Sequence, residues 1–221
     1  MKLINIGIAS ILATLAGFAI ATNPAKAAVI DFESGFSDRQ SVGTVTGSDG
    51  NQATFSVGRN VNNRSNAEIA QKGNPRTAFF PRDGARTSYS NLIGDFILTN
   101  GEGNRDNYFI QFSTPVRNFS FDFLDLSQNR NSTLRAFSDS NFTNIIDQIT
   151  ITGSSSRGNS ALDTVALNNL GSASSFSISS RDASTAIDNI NYDTVPEPFT
   201  IFGTLVAAGF GVAMKRKRQS A

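Results

Sequence analysis

Histidine and cysteine are both absent from the 221 residues. The side chains left to do chemistry are the carboxylates, the hydroxyls and the arginines. Ser-His-Asp hydrolysis, Cys-His catalysis, thiolate metal sites and disulfides are therefore excluded for this chain. Carboxylates alone can still hydrolyse a glycoside, provided two of them flank the bond. Asp122 and Asp125 bracket Phe123 and Leu124 in a strand-like stretch. Three positions apart in a strand, they project to opposite faces, which is poor geometry for an acid/base pair. No other pair stands out, so the chain is read as a non-enzyme.

Carboxylates also bind hard cations. Asp31 and Glu33 lie early in the central region, and Asp188 and Asp193 lie near its end. If the first and last strands are neighbours, these four are the candidate ligands of a structural Ca²⁺. The competing reading makes them solvent-facing residues of edge strands. No other cofactor is expected. A sugar site needs an aromatic face beside a few oriented polar groups. Tryptophan is absent, and the tyrosines are Tyr89, Tyr108 and Tyr192. Tyr89 sits in the turn-rich stretch from Arg82 to Asn91 and is the candidate ligand-facing ring. Tyr108 and Tyr192 fall within strand patterns and are expected in the core or on a sheet surface. Four Asn-x-Ser/Thr triplets, at Asn63, Asn118, Asn131 and Asn141, are explained by the abundance of Asn and Ser.

The elements that position these residues read as strands. Tyr108, Ile110 and Phe112 alternate with Phe109 and Gln111, and Phe119, Phe121 and Phe123 alternate with Ser120 and Asp122. A period of two means that one face of each is buried. Further strands are expected at Val29 to Glu33, Ala53 to Val57, Asp95 to Thr99, Thr133 to Phe137, Gln148 to Thr152, Ser175 to Ser179 and Ala186 to Tyr192. Turn formers such as Ser48-Asp49-Gly50-Asn51 separate them. The expected fold is all-β: a two-sheet antiparallel β-sandwich, jelly-roll-like, of roughly nine or ten strands. Gly58 to Asn91 is expected to be a long surface loop with one short strand at Thr77 to Phe80. Between Ala28 and Val195 stand 13 basic and 17 acidic residues, a net charge of −4. A nucleic-acid partner is therefore not expected.

Both ends read as addresses. Met1-Lys2, an apolar run through Ile20 and then Ala25-Lys26-Ala27 form a secretory signal peptide, residues 1–27, with cleavage before Ala28. At the other end, Val195-Pro196-Glu197-Pro198 precedes the uncharged apolar run Phe199 to Met214, which stops at Lys215-Arg216-Lys217-Arg218. The prolines keep the motif extended. The run falls short of the ~20 residues of a comfortable membrane helix, and the basic cluster acts as a stop-transfer element on the cytoplasmic side.

Motif, apolar helix and basic cluster in that order closely resemble the PEP-CTERM sorting tail. The resemblance implies three regions: signal peptide 1–27, β-sandwich ectodomain 28–194 and sorting tail 195–221. It implies signal peptidase and an exosortase-like enzyme as processing partners, the membrane as a transient anchor, and Glu197 as a recognition residue in a substrate. The strand order closing on Ile187-Asp188-Asn189-Ile190-Asn191-Tyr192 resembles the jelly-roll ectodomains that precede such tails. Tails of this kind occur in bacteria that make exopolysaccharide. The expected function is thus that of an exported cell-surface or extracellular-matrix protein, structural or adhesive, linked to exopolysaccharide or biofilm. The alternatives are a lectin-like carbohydrate-binding module and a surface protein permanently anchored in the membrane.

Overall fold

The computed structural model describes residues 27–71, 93–100, 106–124, 126, 130–153, 162–179 and 185–195. The described residues form strands β1 (Ala27–Ile30), β2 (Ser41–Val42), β3 (Thr44–Thr46), β4 (Gln52–Asn60), β5 (Asn63–Gln71) and β6 (Phe96–Thr99). They continue with β7 (Asn107–Leu124), β8 (Asn131–Phe137), β9 (Ile145–Thr152), β10 (Leu162–Leu167), β11 (Ala173–Ile178) and β12 (Ala186–Thr194). No helix occurs among them, and so none that is long and apolar enough to cross a membrane. The expected signal helix and C-terminal helix lie outside the described residues, as do Thr77 to Phe80.

All pairings between these strands are antiparallel. The architecture turns on β7, whose 18 residues serve two sets of partners. Its first half, Asn107 to Phe112, lies between β4 and β11, and its second half, Asn118 to Leu124, lies between β12 and β10. The sequence pattern suggests two strands here, broken at Thr114-Pro115-Val116. The chain instead runs straight through. Pro115 is tolerated because it stands where β7 changes partners, at a register shift against β11, so no ladder bond from its missing N–H is lost.

Strand β6 pairs with both β5 and β12, so the path β7, β4, β5, β6, β12 returns to β7. The result is an all-β fold of sandwich- or barrel-like form. From the first half of β7 the sheet continues outward through β11 and β8 to β9. β5 overturns part of the expected loop from Gly58 to Asn91. Its first residues, Asn63 to Asn66, are polar and exposed, so no alternation marks it as a strand. Pairing with β4 imposes the strand, and Gly58 permits it: a Cβ there would overlap the Asn63 carbonyl.

The core is built from phenylalanine. Phe119 and Phe176 stack at 4.0 Å, and Phe112 meets them edge-on at 6.0 and 5.9 Å. Tyr108 and Tyr192 are buried in the same core. The Tyr192 hydroxyl donates to Asp49 at 2.7 Å, and the Tyr108 hydroxyl donates to the Thr185 carbonyl while accepting from the Asn100 amide at 3.1 Å. Both phenols are shifted upward, chiefly by burial. A smaller cluster of Ala70, Ile93, Ile97, Leu124 and Ala186 packs apart from this core.

Candidate functional site: a serine-floored trough on the sheet face

Strand β11 alternates in a way that shapes the surface above it. Phe176 and Ile178 point into the core, so Ser175 and Ser177 lie on the other face, where Ser175 is covered by the β8–β9 loop and Ser177, with Ser179 just beyond the strand, floors the recess. The neighbouring strands carry large side chains on that face. The register places Ser56, Phe109, Ser177, Arg135 and Gln148 in one row across β4, β7, β11, β8 and β9. The adjacent row runs Thr54, Gln111, Ser175, Phe137 and Ile145. Small residues between large ones leave a groove of about 420 Å³, lined by Arg59, Asn107, Phe109, Arg135, Phe137, Phe142, Ile145 and Gln148 over the serine floor. A smaller hollow of about 160 Å³ adjoins it at Arg59 and includes Arg64 and Asp106.

The loop between β8 and β9 closes one end. Asp139 organises it, accepting from the amides of Asn141 at 2.8 Å, Thr143 at 3.2 Å and Asn144 at 2.7 Å. These bonds, that from Asn144 foremost, hold its carboxyl below the usual carboxylate range. Gln111 Nε2 donates to the Ser140 carbonyl at 2.6 Å, and Ser175 Oγ donates to the Asp139 carbonyl at 2.6 Å, fastening the loop to the sheet. So held, the loop keeps Phe142 at φ 59°, a conformation bulky residues seldom adopt. Its ring meets Phe109 edge-on at 5.2 Å and Phe137 at 5.6 Å. The Arg64 guanidinium lies 5.4 Å from the Phe109 ring centre and 5.0 Å from that of Phe142. Arg135 Nε donates to Gln148 Oε1 at 3.3 Å. Among the described residues none of Arg59, Arg64 and Arg135 forms an ion pair with a carboxylate. Phe109 and Phe137 are only 6% and 5% exposed, so the trough offers mainly the edge of Phe142 beside guanidinium forks, a lining that suits a partly apolar, oxygen-rich ligand.

The carboxylates expected to gather round calcium do not assemble as a set. Among the described residues no three acidic side chains form a group able to hold a metal ion. The reason lies in the register. Ala27 pairs with Asp193 and Ile30 with Ile190, so Asp193 stands at the opposite end of β12 from Asp188, on the order of 15 Å away along the strand. There it accepts from Asn118 Nδ2 at 2.6 Å and lies 4.0 Å from Arg117. Asp31 is exposed. Only Glu33 and Asp188 come to one place, and both grip the segment before β6. Glu33 accepts from the Asp95 amide at 2.7 Å and Asp188 Oδ2 from the Gly94 amide at 3.1 Å. Asp188 is 1% exposed. Register sets Asp188 opposite Asp122, just before a bulge at Asn189 (φ 49°), and the Asp122 oxygens accept from Thr164 Oγ1 at 2.7 Å and Asn189 Nδ2 at 2.9 Å. Burial first, then the charges of Glu33 and Asp122, push the Asp188 carboxyl up to about 6.

No family model matches the chain, and no curated protein matches it. Among solved structures it is similar to the K1 cleaved adhesin domain of Lys-gingipain from Porphyromonas gingivalis W83, at 13% identity and TM-score 0.39, over 77% of this chain and 99% of that one. It is also similar to the family 11 carbohydrate-binding module of the cellulosomal cellulase Lic26A-Cel5E of Clostridium thermocellum, at 12% identity and TM-score 0.29, over 76% and 95% of the two chains. A third likeness is to the isomalto-dextranase of Arthrobacter globiformis T6 in complex with panose, at 9% identity and TM-score 0.32, over 77% of this chain and 33% of that enzyme. With every TM-score below 0.5, none of these assigns a fold family or a ligand to this chain.

Tyr89 and Asp125 lie outside the described residues, as do Ala25, Pro196, Glu197, Pro198 and Lys215 to Arg218. Tyr108 and Tyr192 are core residues, as their strand positions suggest. Among the described residues Phe109, Phe137 and Phe142 supply an aromatic lining that was not among the expected site residues. The signal was present: Ser175, Ser177 and Ser179 alternate with Phe176 and Ile178, which marks a strand with a deliberately small outer face.

Proposed function

We propose that this is an exported surface protein whose jelly-roll-like β domain adheres to extracellular polysaccharide through the serine-floored trough. The signal peptide directs export, with cleavage between Ala27 and Ala28. The PEP-CTERM-like tail holds the precursor in the membrane until an exosortase-like enzyme cuts at Val195 to Pro198. The carrying observation is the trough itself: rings of Phe109, Phe137 and Phe142 beside Arg59, Arg135 and Gln148, over a floor too small to fill it. An open recess that sets polar forks beside aromatic rings suits a sugar ligand.

The test is affinity electrophoresis of the exported protein, purified from its host, in gels containing the host's matrix polysaccharide or defined acidic and neutral polymers. Retardation in at least one polymer is expected, and it should weaken when Phe142 is replaced by Ala. Unchanged mobility in every polymer, the host's own included, would remove the adhesive reading and leave a passive matrix component.

A further inference from the structure

We propose that the trough selects carboxylate-bearing saccharides, that is, a uronate polymer over a neutral glucan of similar backbone. This rests on the trough being a polysaccharide surface and adds the class of sugar it reads. The first argument is charge. The central region is acidic overall, with 17 acidic against 13 basic residues. Yet Arg59 and Arg135 line the trough and Arg64 lines the smaller hollow that adjoins it at Arg59, and among the described residues the only carboxylate lining either is Asp106, in the smaller one. Cations gathered against the sign of the whole domain focus an attractive potential locally.

The second argument is what these guanidinium groups touch. Arg64 lies over two phenylalanine rings, at 5.4 and 5.0 Å. Such stacking holds the plane of the fork fixed and leaves its edge for a partner, the arrangement that favours a bidentate carboxylate. Arg135 commits its Nε to Gln148, which orients the group and leaves the terminal nitrogens toward a ligand. Among the described residues neither forms an ion pair with a carboxylate of this chain, although Asp106 lines the same small hollow as Arg64.

The third argument is spacing. Arg64 covers Phe109 on β7, whereas Arg135 stands on β8, with β11 between them. Two inter-strand steps separate the positions by on the order of 10 Å. A ligand that satisfies both carries two anionic groups at that reach, which a polymer of charged sugars provides and a single monosaccharide does not.

The experiment is calorimetric titration of the exported protein with polygalacturonate and with the same polymer after carboxyl reduction to neutral galactan. The variants are Arg64→Ala, Arg64→Lys and Arg135→Gln, each checked by its melting temperature. The expected result is binding to polygalacturonate at least about tenfold tighter than to the reduced polymer, with Arg64→Ala and Arg135→Gln each losing about tenfold. Arg64→Lys falls between, because it keeps the charge without the fork. Rising salt should weaken polygalacturonate binding. Equal binding of the two polymers, with the arginine variants unchanged, overturns anion selection while the polysaccharide reading stands. Binding to neither polymer, while the host's matrix polysaccharide still retards the protein, also overturns it; no binding to any polysaccharide overturns both. Tighter binding of single-stranded oligothymidylate than of polygalacturonate reassigns the trough and overturns the proposal. If Arg64→Ala lowers the melting temperature, Arg135→Gln decides.

Discussion

Replacing Asp188 by Asn should stabilise the protein at neutral pH. Asp188 is 1% exposed, its Oδ2 accepts from the Gly94 amide, and its Oδ1 has no hydrogen-bond partner. With Glu33 and Asp122 nearby, ionisation is opposed by burial and by like charge, and the carboxyl is pushed up to about 6. The sign follows from proton linkage. Because the folded state holds this proton more tightly than the unfolded chain, stability is greatest below the ordinary carboxylate range. It is lost as pH rises from about 4 to about 6 and is level above that. A gap of roughly two pH units corresponds to about 3 kcal/mol. Asn keeps an oxygen for the Gly94 amide, places a donor near two carboxylates and carries no charge. In denaturant titrations across pH, Asp188→Asn should exceed the parent by up to about 3 kcal/mol at about pH 8 and match it near pH 4. The reasoning is refuted if the variant is the less stable at pH 8, or if the difference between the two does not change between pH 4 and 6.

Three further outcomes are expected. Gly94→Ala should destabilise by about 1–3 kcal/mol, because the new Cβ would overlap the Glu33 carboxylate; Glu33→Ala in the same chain should relieve part of this in a double-mutant cycle. Phe176→Ala, which removes the ring stacked on Phe119, should cost about 3–5 kcal/mol in chemical denaturation. Asp139→Ala should lower the melting temperature at neutral pH, because the carboxylate that accepts three loop amides is lost, and should weaken sugar binding, since it frees the loop that presents Phe142. In the parent, the order that Asp139 lends this loop is present at neutral pH and is lost as pH falls through its lowered pKa, which binding measured on an acid titration would show.

The strand content and the aromatic core were legible because alternation is a local property: Tyr108, Ile110 and Phe112 declare their buried face without knowledge of their partners. The continuity of β7 was not, because Pro115 reads as a break until the change of partners is known. β5 was hidden for a related reason. Asn63 to Asn66 have weak strand propensity, and only the β4 hairpin holds them extended. For the site, sequence reasoning sought rare residue types and so weighed Tyr89 and scattered carboxylates. Strand register decides what meets: it separates Asp193 from Asp188 and aligns Phe109, Ser177 and Arg135, which are distant in the chain. The burial of Asp188 was equally invisible, since the groups that cover it, Gly94 and Glu33 among them, are distant in the chain.

The central claim is that the outer face over β11 is the binding surface, and filling its floor tests that most directly. Ser177→Trp places a large ring between Phe109 and Arg135 without touching the core, where Phe176 and Ile178 remain. Binding to the host's matrix polysaccharide would be measured for this variant and the parent by affinity electrophoresis, with melting temperatures alongside. The account predicts a folded variant with parental melting behaviour and little or no retardation. A folded Ser177→Trp protein retarded as strongly as the parent would place sugar binding elsewhere and contradict it.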